Sequence, residues 1–238
     1  MNIKRGLRNN GLLVVLVLLF AFSFAGQALA GVRTYNEDRR AHGEAPVSLG
    51  AYLGSGSFVE ATFENWESEF LQMAALVVLT AMLRQKGAPD SKSLEGEDPV
   101  DADPRESRGN PDAPWPVKRG GLVLAVYEHS LSITLGLLFV ASFLLHAAGG
   151  ARDYSEEQRS HGQPAVGMLA YLGTARFWFE SFQNWQSEFL SVAVLMALAI
   201  FLRERGSPES KPVAAPHGQT GNDEEPRKAG RRPRTKVA

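Results

Sequence analysis

Residues 12–30 contain no charged side chain: Leu12-Leu13-Val14-Val15-Leu16-Val17-Leu18-Leu19-Phe20-Ala21-Phe22 leads on to Ala30. A hydrocarbon core about 30 Å thick is crossed by about 20 apolar residues in a helix. A helix closes its backbone hydrogen bonds within the segment, which lipid demands. Three more apolar blocks follow, at 70–83, 121–150 and 189–202. The chain's mean hydropathy is slightly negative, but its apolar residues are collected into these blocks. Blocks two and four are short for a crossing. They become long enough if each helix starts near Trp66 or Trp185, with glutamates at the interface.

The first block has a second reading. Lys4, Arg5 and Arg8 precede the apolar run, and Ala28-Leu29-Ala30 has the form of a signal-peptidase site, so cleavage there is the alternative. An internal repeat argues for retention. Tyr154 lies 119 residues after Tyr35, and the same offset pairs His42-Gly43 with His161-Gly162 and Ala51-Tyr52-Leu53-Gly54 with Ala170-Tyr171-Leu172-Gly173. It also pairs Asn65-Trp66 with Asn184-Trp185, and Ser68-Glu69-Phe70-Leu71 with Ser187-Glu188-Phe189-Leu190. Phe20, Ser23 and Phe24 fall on Phe139, Ser142 and Phe143 without a gap. A block in mid-chain cannot be a signal peptide, so its counterpart near the N-terminus reads as a retained span.

The expected fold is therefore all-α and membrane-embedded: four transmembrane helices as two tandem two-helix repeats. Two spans per repeat insert both in the same orientation, with the pseudo-symmetry axis along the membrane normal. The first repeat covers 10–86, with spans at about 10–31 and 66–85. The second covers 119–205, with spans at about 121–149 and 185–204. Residues 1–9 form the N-terminus. The linker 87–118 and the tail 206–238 are rich in Asp, Glu, Pro, Ser and Gly, a composition that predicts disorder.

Basic residues set the sidedness. Lys4, Arg5, Arg8, Arg84, Lys86, Lys118, Arg119, Arg203 and Arg205 flank the spans on one side. They predict both termini and the linker in the cytoplasm, with the loops 32–65 and 151–184 facing outward from a bacterial inner membrane. Arg231, Arg232, Arg234 and Lys236 in the tail predict contact with anionic lipid headgroups. Nothing accompanies them that would suggest nucleic-acid binding.

The two outer loops preserve a common pattern. Val47–Leu53 and Val166–Leu172 read as short interfacial helices ended by Gly54 and Gly173. Residues 57–66 and 176–185 read as aromatic-rich interfacial helix continuous with the next span. Trp66, Trp185, Tyr52 and Tyr171 are the expected interfacial aromatics. Glu69 and Glu188 are the candidate polar site, with Asn65 and Asn184 as helix N-caps and with His42 and His161 nearby. The ordinary reading of the glutamates is helix-start stabilisation. The functional reading is a symmetric pair that binds a cation or relays a proton. The histidines read as hydrogen-bonding loop residues, because no spacing in the chain matches a known metal motif. His129 and His146 stand opposite Asn10 and Gln27 and read as interfacial hydrogen-bonding groups.

The net charge is −1 and there is no cysteine, which excludes disulfides, Cys-ligated zinc, iron–sulfur clusters and thiol catalysis. Nucleotide-binding and hydrolase motifs are also absent. No cofactor or metal is expected, and the sequence argues against an enzyme. The stretch Glu180-Ser181-Phe182-Gln183-Asn184-Trp185-Gln186-Ser187-Glu188-Phe189-Leu190 carries a resemblance, supported by Tyr171-Leu172-Gly173 before it and Arg205-Gly206-Ser207-Pro208-Glu209-Ser210-Lys211 after it. With Ser130-Leu131-Ser132, it resembles a family of bacterial integral membrane proteins known only as a domain of unknown function. The resemblance implies membrane location and bacterial origin, and no activity. The functional expectation is a structural or interaction protein of the envelope, with the bilayer, a second copy or an envelope protein as partner. The alternative is a small transporter or channel, which would need polar groups deep in the spans.

Overall fold

A computed structural model describes residues 3–96 and 98–221, and no strand occurs among them. In chain order the α-helices are α1 Ile3–Ala41, α2 Leu49–Leu53, α3 Gly56–Met82, α4 Trp115–Arg119, α5 Gly121–Glu128, α6 Ser130–Ser160, α7 Met168–Tyr171 and α8 Ala175–Phe201. Among the described residues, three helices are long and apolar enough to cross a membrane: Asn9–Ala41, Ser130–Ser160 and Ala175–Phe201. Most of their apolar side chains point outward, with Leu12 and Phe22 more than three-quarters exposed. Water does not tolerate a continuous apolar surface of this extent, and lipid does. The 27-residue helix α3 falls short on composition. Glu60, Glu64, Glu67 and Glu69 crowd its first half, and its apolar run begins only at Phe70.

Two elements differ from expectation at positions 119 apart. The third apolar block is broken at His129 (φ −113°, ψ 11°), which separates α5 from α6. Asn10 kinks α1 in the same way (φ −127°, ψ 20°).

The described chain divides into two compact units. The first comprises residues up to 67 together with 140–182. It contains two matching aromatic clusters. In one, Tyr52 packs on Tyr35 at 5.4 Å and on Phe58 at 5.3 Å, and Phe58 on Phe24 at 5.8 Å. In the other, Tyr171 packs on Tyr154 at 5.8 Å and on Phe177 at 5.6 Å, and Phe177 on Phe143 at 5.2 Å. The short helices fold back over the long ones through a side chain that clasps the loop backbone. Asn36 holds Val47 through both its carbonyl and its N–H. Ser155 holds Val166 in the same two ways. Each aromatic fold-back needs a glycine beneath it. A Cβ at Gly31 would lie 2.1 Å from the Tyr52 hydroxyl, and one at Gly150 would lie 2.6 Å from that of Tyr171.

The repeated His-Gly pairs end the helices. Gly43 (φ +77°) and Gly162 (φ +74°) adopt left-handed backbone. The N–H of Gly43 bonds to the Arg40 carbonyl and that of Glu44 to Arg39, while Gly162 bonds to Arg159 and Gln163 to Gln158. This double closure satisfies carbonyls that the helix end would leave bare. Gly54 and Gly173 follow α2 and α7 as expected, but Gly54 is right-handed (φ −95°).

The second unit comprises residues 68–139 and those from 183 onward. Its helix exits are again alike. The Ser91 hydroxyl accepts from the Gln85 N–H, and the Ser210 hydroxyl from that of Glu204. The linker carries two 3-10 turns, Pro99–Asp101 and Pro104–Gly109. Short polar contacts close them, including Lys92 to Asp101 at 2.7 Å. The basic residues 231–236 lie outside the described residues.

Candidate functional site

Within the first unit, α3 and α6 approach closely because glycines line the crossing. A Cβ on Gly149 would stand 2.5 Å from the Glu60 backbone nitrogen, and one on Gly56 would stand 2.5 Å from that of Asp153. This contact sinks the glutamates of early α3 into protein. Glu67 and His146 are fully buried, and Glu60 is nearly so. The His146 ring stacks on Phe177, with centroids 4.8 Å apart.

The polar groups form one connected cluster. His146 Nδ1 lies 2.8 Å from Glu67 Oε2. His146 Nε2 faces Glu180 Oε2 at 3.5 Å and makes no hydrogen bond among the described residues. The Tyr171 hydroxyl lies 2.6 Å from Glu180 Oε2 and 3.0 Å from Glu60 Oε1. Arg176 donates from Nε to Glu180 at 2.8 Å and from a terminal nitrogen to Asp153 at 3.1 Å, and it also pairs with Glu157. The Ser181 hydroxyl is buried without a hydrogen-bond partner among the described residues.

Proton counting constrains the cluster. A phenol carries one hydrogen and so donates to one carboxylate, which leaves the other to bring its own proton. Burial, with the Asp153 and Glu180 carboxylates nearby, pushes Glu60 up to about 8. Burial and Glu180 also raise the Tyr171 phenol, which therefore stays protonated. Five acids (Glu60, Glu67, Asp153, Glu157 and Glu180) thus face one guanidinium and one imidazole. Taking unpaired charge out of water costs several kcal/mol per ion, so such a cluster retains protons or takes up a cation.

A family model described as a domain of unknown function, DUF6766, matches residues 3–222. The chain belongs to this family. No curated protein and no solved structure matches it.

The DUF6766 chain places its sequence-expected site residues differently from expectation. Asn65 and Asn184 are not helix N-caps. Both lie well inside continuous helices that begin at Gly56 and Ala175, and the Asn65 side chain donates to the Ala61 carbonyl at 2.7 Å. The expected continuity of 57–66 and 176–185 with the following helices is observed. Tyr52 and Tyr171, expected as interfacial aromatics, fold back over Gly31 and Gly150 and are buried inside protein. Trp66 and Trp185 are half-buried. Trp66 packs on Phe20 and Phe24, and Trp185 packs on Phe139.

His42 and His161 belong to the first unit and Glu69 and Glu188 to the second. Glu69 is exposed and Glu188 half-buried. Each histidine Nδ1 lies 2.9 Å from the carbonyl four residues earlier, that of Asp38 or Glu157. Both rings line an open polar basin with Tyr35, Asp153, Glu156 and Glu157. Asp153 and Glu157 also hold Arg176, so this basin adjoins the buried cluster.

Glu60, Glu67, His146, Arg176 and Glu180 are the residues that sequence reasoning missed. One signal was available. At these positions the two halves differ: Glu60 stands opposite Phe179, Glu67 opposite Gln186, His146 opposite Gln27, Arg176 opposite Ser57 and Glu180 opposite Ala61. Glu60 and Glu67 of the first half meet Arg176 and His146 of the second.

Proposed function

We propose that this DUF6766 protein is a four-span membrane protein that binds and passes a proton or small cation at the buried cluster. Its two tandem hairpins insert in the same orientation in a bacterial inner membrane, with both termini and the linker in the cytoplasm. Helix α3 supplies the fourth span from about residue 66. The observation that carries the reading is the fully buried His146–Glu67 pair, with His146 lying inside one of the helices apolar enough to cross a membrane. Ionisable groups at such positions are costly and mark ion or proton pathways by default. The role is one of binding and passage, not catalysis.

The polar basin beneath His42 and His161 supplies water access next to Asp153 and Glu157. A second reading, an envelope platform, draws support from Arg176, which ties α3, α6 and α8 together through four carboxylates and stiffens the loops.

Proteoliposomes separate the two readings. The full chain, reconstituted with an internal pH-sensitive dye, is expected to dissipate an imposed pH or cation gradient faster than protein-free vesicles. Glu67→Gln and His146→Gln are expected to remove that excess while remaining folded. Wild-type flux equal to that of empty vesicles overturns the passage reading and favours the platform.

A further inference from the structure

We infer that Glu60, His146 and Glu180 form a site for a divalent transition-metal ion of the zinc class. The inference deepens the reading above and shares its cluster, but it concerns binding and can stand without flux.

The argument starts at the imidazole. A carboxylate only accepts hydrogen bonds, so the 2.8 Å contact to Glu67 Oε2 places the ring hydrogen on His146 Nδ1. The lone pair of a neutral ring then sits on Nε2. That atom is buried, makes no hydrogen bond, and faces a carboxylate oxygen at 3.5 Å. A second ring proton or a bound metal ion resolves this contact, and the spacing of the donor atoms favours the metal.

The donor atoms are spaced for one. One ligand atom from each of Glu60, His146 and Glu180 lies within 4.8 Å of the others. Tetrahedral donors at about 2.1 Å from zinc stand about 3.4 Å apart, close to the Nε2–Oε2 separation. A nitrogen beside two carboxylate oxygens suits Zn²⁺, Mn²⁺ or Fe²⁺ better than Ca²⁺ or Mg²⁺, which prefer oxygen alone. Three protein donors leave one coordination position open, the pattern of zinc sites that exchange a ligand. Glu67 acts through His146. It fixes the ring's tautomer and direction, as carboxylate partners of metal-bound histidines do. Tyr171 donates to Glu180 or Glu60 from outside the donor set and steadies the carboxylate orientation.

The two halves of the chain supply mild substitutions. Glutamine already stands at the positions equivalent to His146 and Glu67, as Gln27 and Gln186. His146→Gln and Glu67→Gln therefore introduce residues with a counterpart elsewhere in the same chain.

The test uses the full chain, purified in detergent and stripped with chelator. Zn²⁺ is titrated by calorimetry, and Co²⁺ is followed by its visible absorption. One equivalent per chain is expected, with a cobalt spectrum of low coordination number. His146→Gln and Glu60→Gln are expected to abolish stoichiometric uptake, and Glu67→Gln to weaken it about 10- to 100-fold. The double variant Glu69→Gln, Glu188→Gln is expected to bind as the parent does. Absence of stoichiometric uptake by the wild type overturns the site, whatever the variants do. So does wild-type affinity in folded His146→Gln, with folding checked by circular dichroism and gel filtration. Uptake without flux removes only the passage reading, and flux without uptake removes only the metal.

Discussion

His146 and Glu67 meet as a fully buried pair, Nδ1 to Oε2 at 2.8 Å, across 79 residues of sequence. Removing one member leaves the other buried without its partner, which typically costs about 3–5 kcal/mol. Glu67→Ala is therefore expected to lower the thermal midpoint in detergent well below that of the parent. His146→Gln, which keeps a hydrogen-bonding group in place, is expected to cost clearly less. Equal losses in both would mean that the pair contributes packing rather than polar contact.

The glycines beneath the tyrosines give a second expectation. Gly150→Ala places a methyl group on the Tyr171 ring and Gly31→Ala places one on Tyr52. Overpacking of this kind costs about 1–3 kcal/mol. Gly136→Ala, where nothing lies within 4 Å, is the matched control and should be neutral or slightly stabilising. Denaturant titration of the three variants checks the order.

The helix-ending glycines should separate by backbone angle. Gly43→Ala and Gly162→Ala force an L-residue into left-handed backbone at about 1–2 kcal/mol each. Gly54→Ala, at φ −95° with its nearest neighbour 3.6 Å away, should cost almost nothing. Proteolysis rates in the loops around residues 44 and 163 report the same order. Faster cleavage in Gly54→Ala than in Gly43→Ala would contradict the assignment.

The topology has its own measurement. The chain lacks cysteine, so single cysteines report sidedness against no background. Ala45→Cys is expected to react with an impermeant thiol reagent in intact cells, and Val100→Cys only after lysis. The reverse pattern would invert the orientation.

Much of the fold was legible because apolar blocks and turn glycines act locally. Residues 12–30 announce a helix apolar enough to cross a membrane by composition alone, and His42-Gly43 announces a helix end by the backbone that glycine permits. The cluster was not legible because its members act only after folding. Glu60 and Glu67 look like ordinary acids at a helix start, and His146 like a polar group at a helix end. Nothing in their spacing reveals that glycine contacts at 56, 149 and 150 bring them together. Comparing the two halves favoured residues that match, such as Tyr52 with Tyr171 and Asn65 with Asn184. The matching residues build the scaffold: Tyr171 is a packing residue first, and Asn65 bonds to its own helix. The residues that carry unusual chemistry are those that differ.

That difference has a consequence for how such a cluster can arise. Two separate copies of one hairpin would carry every side chain twice, so no position could be acidic in one copy and neutral in the other. With both matching stretches in one chain, a mutation alters one of them alone. His146 can then meet Glu67 while their counterparts remain the neutral Gln27 and Gln186. Similar stretches within one chain are thus free to diverge, and an acid of one can meet a base of the other without a second gene.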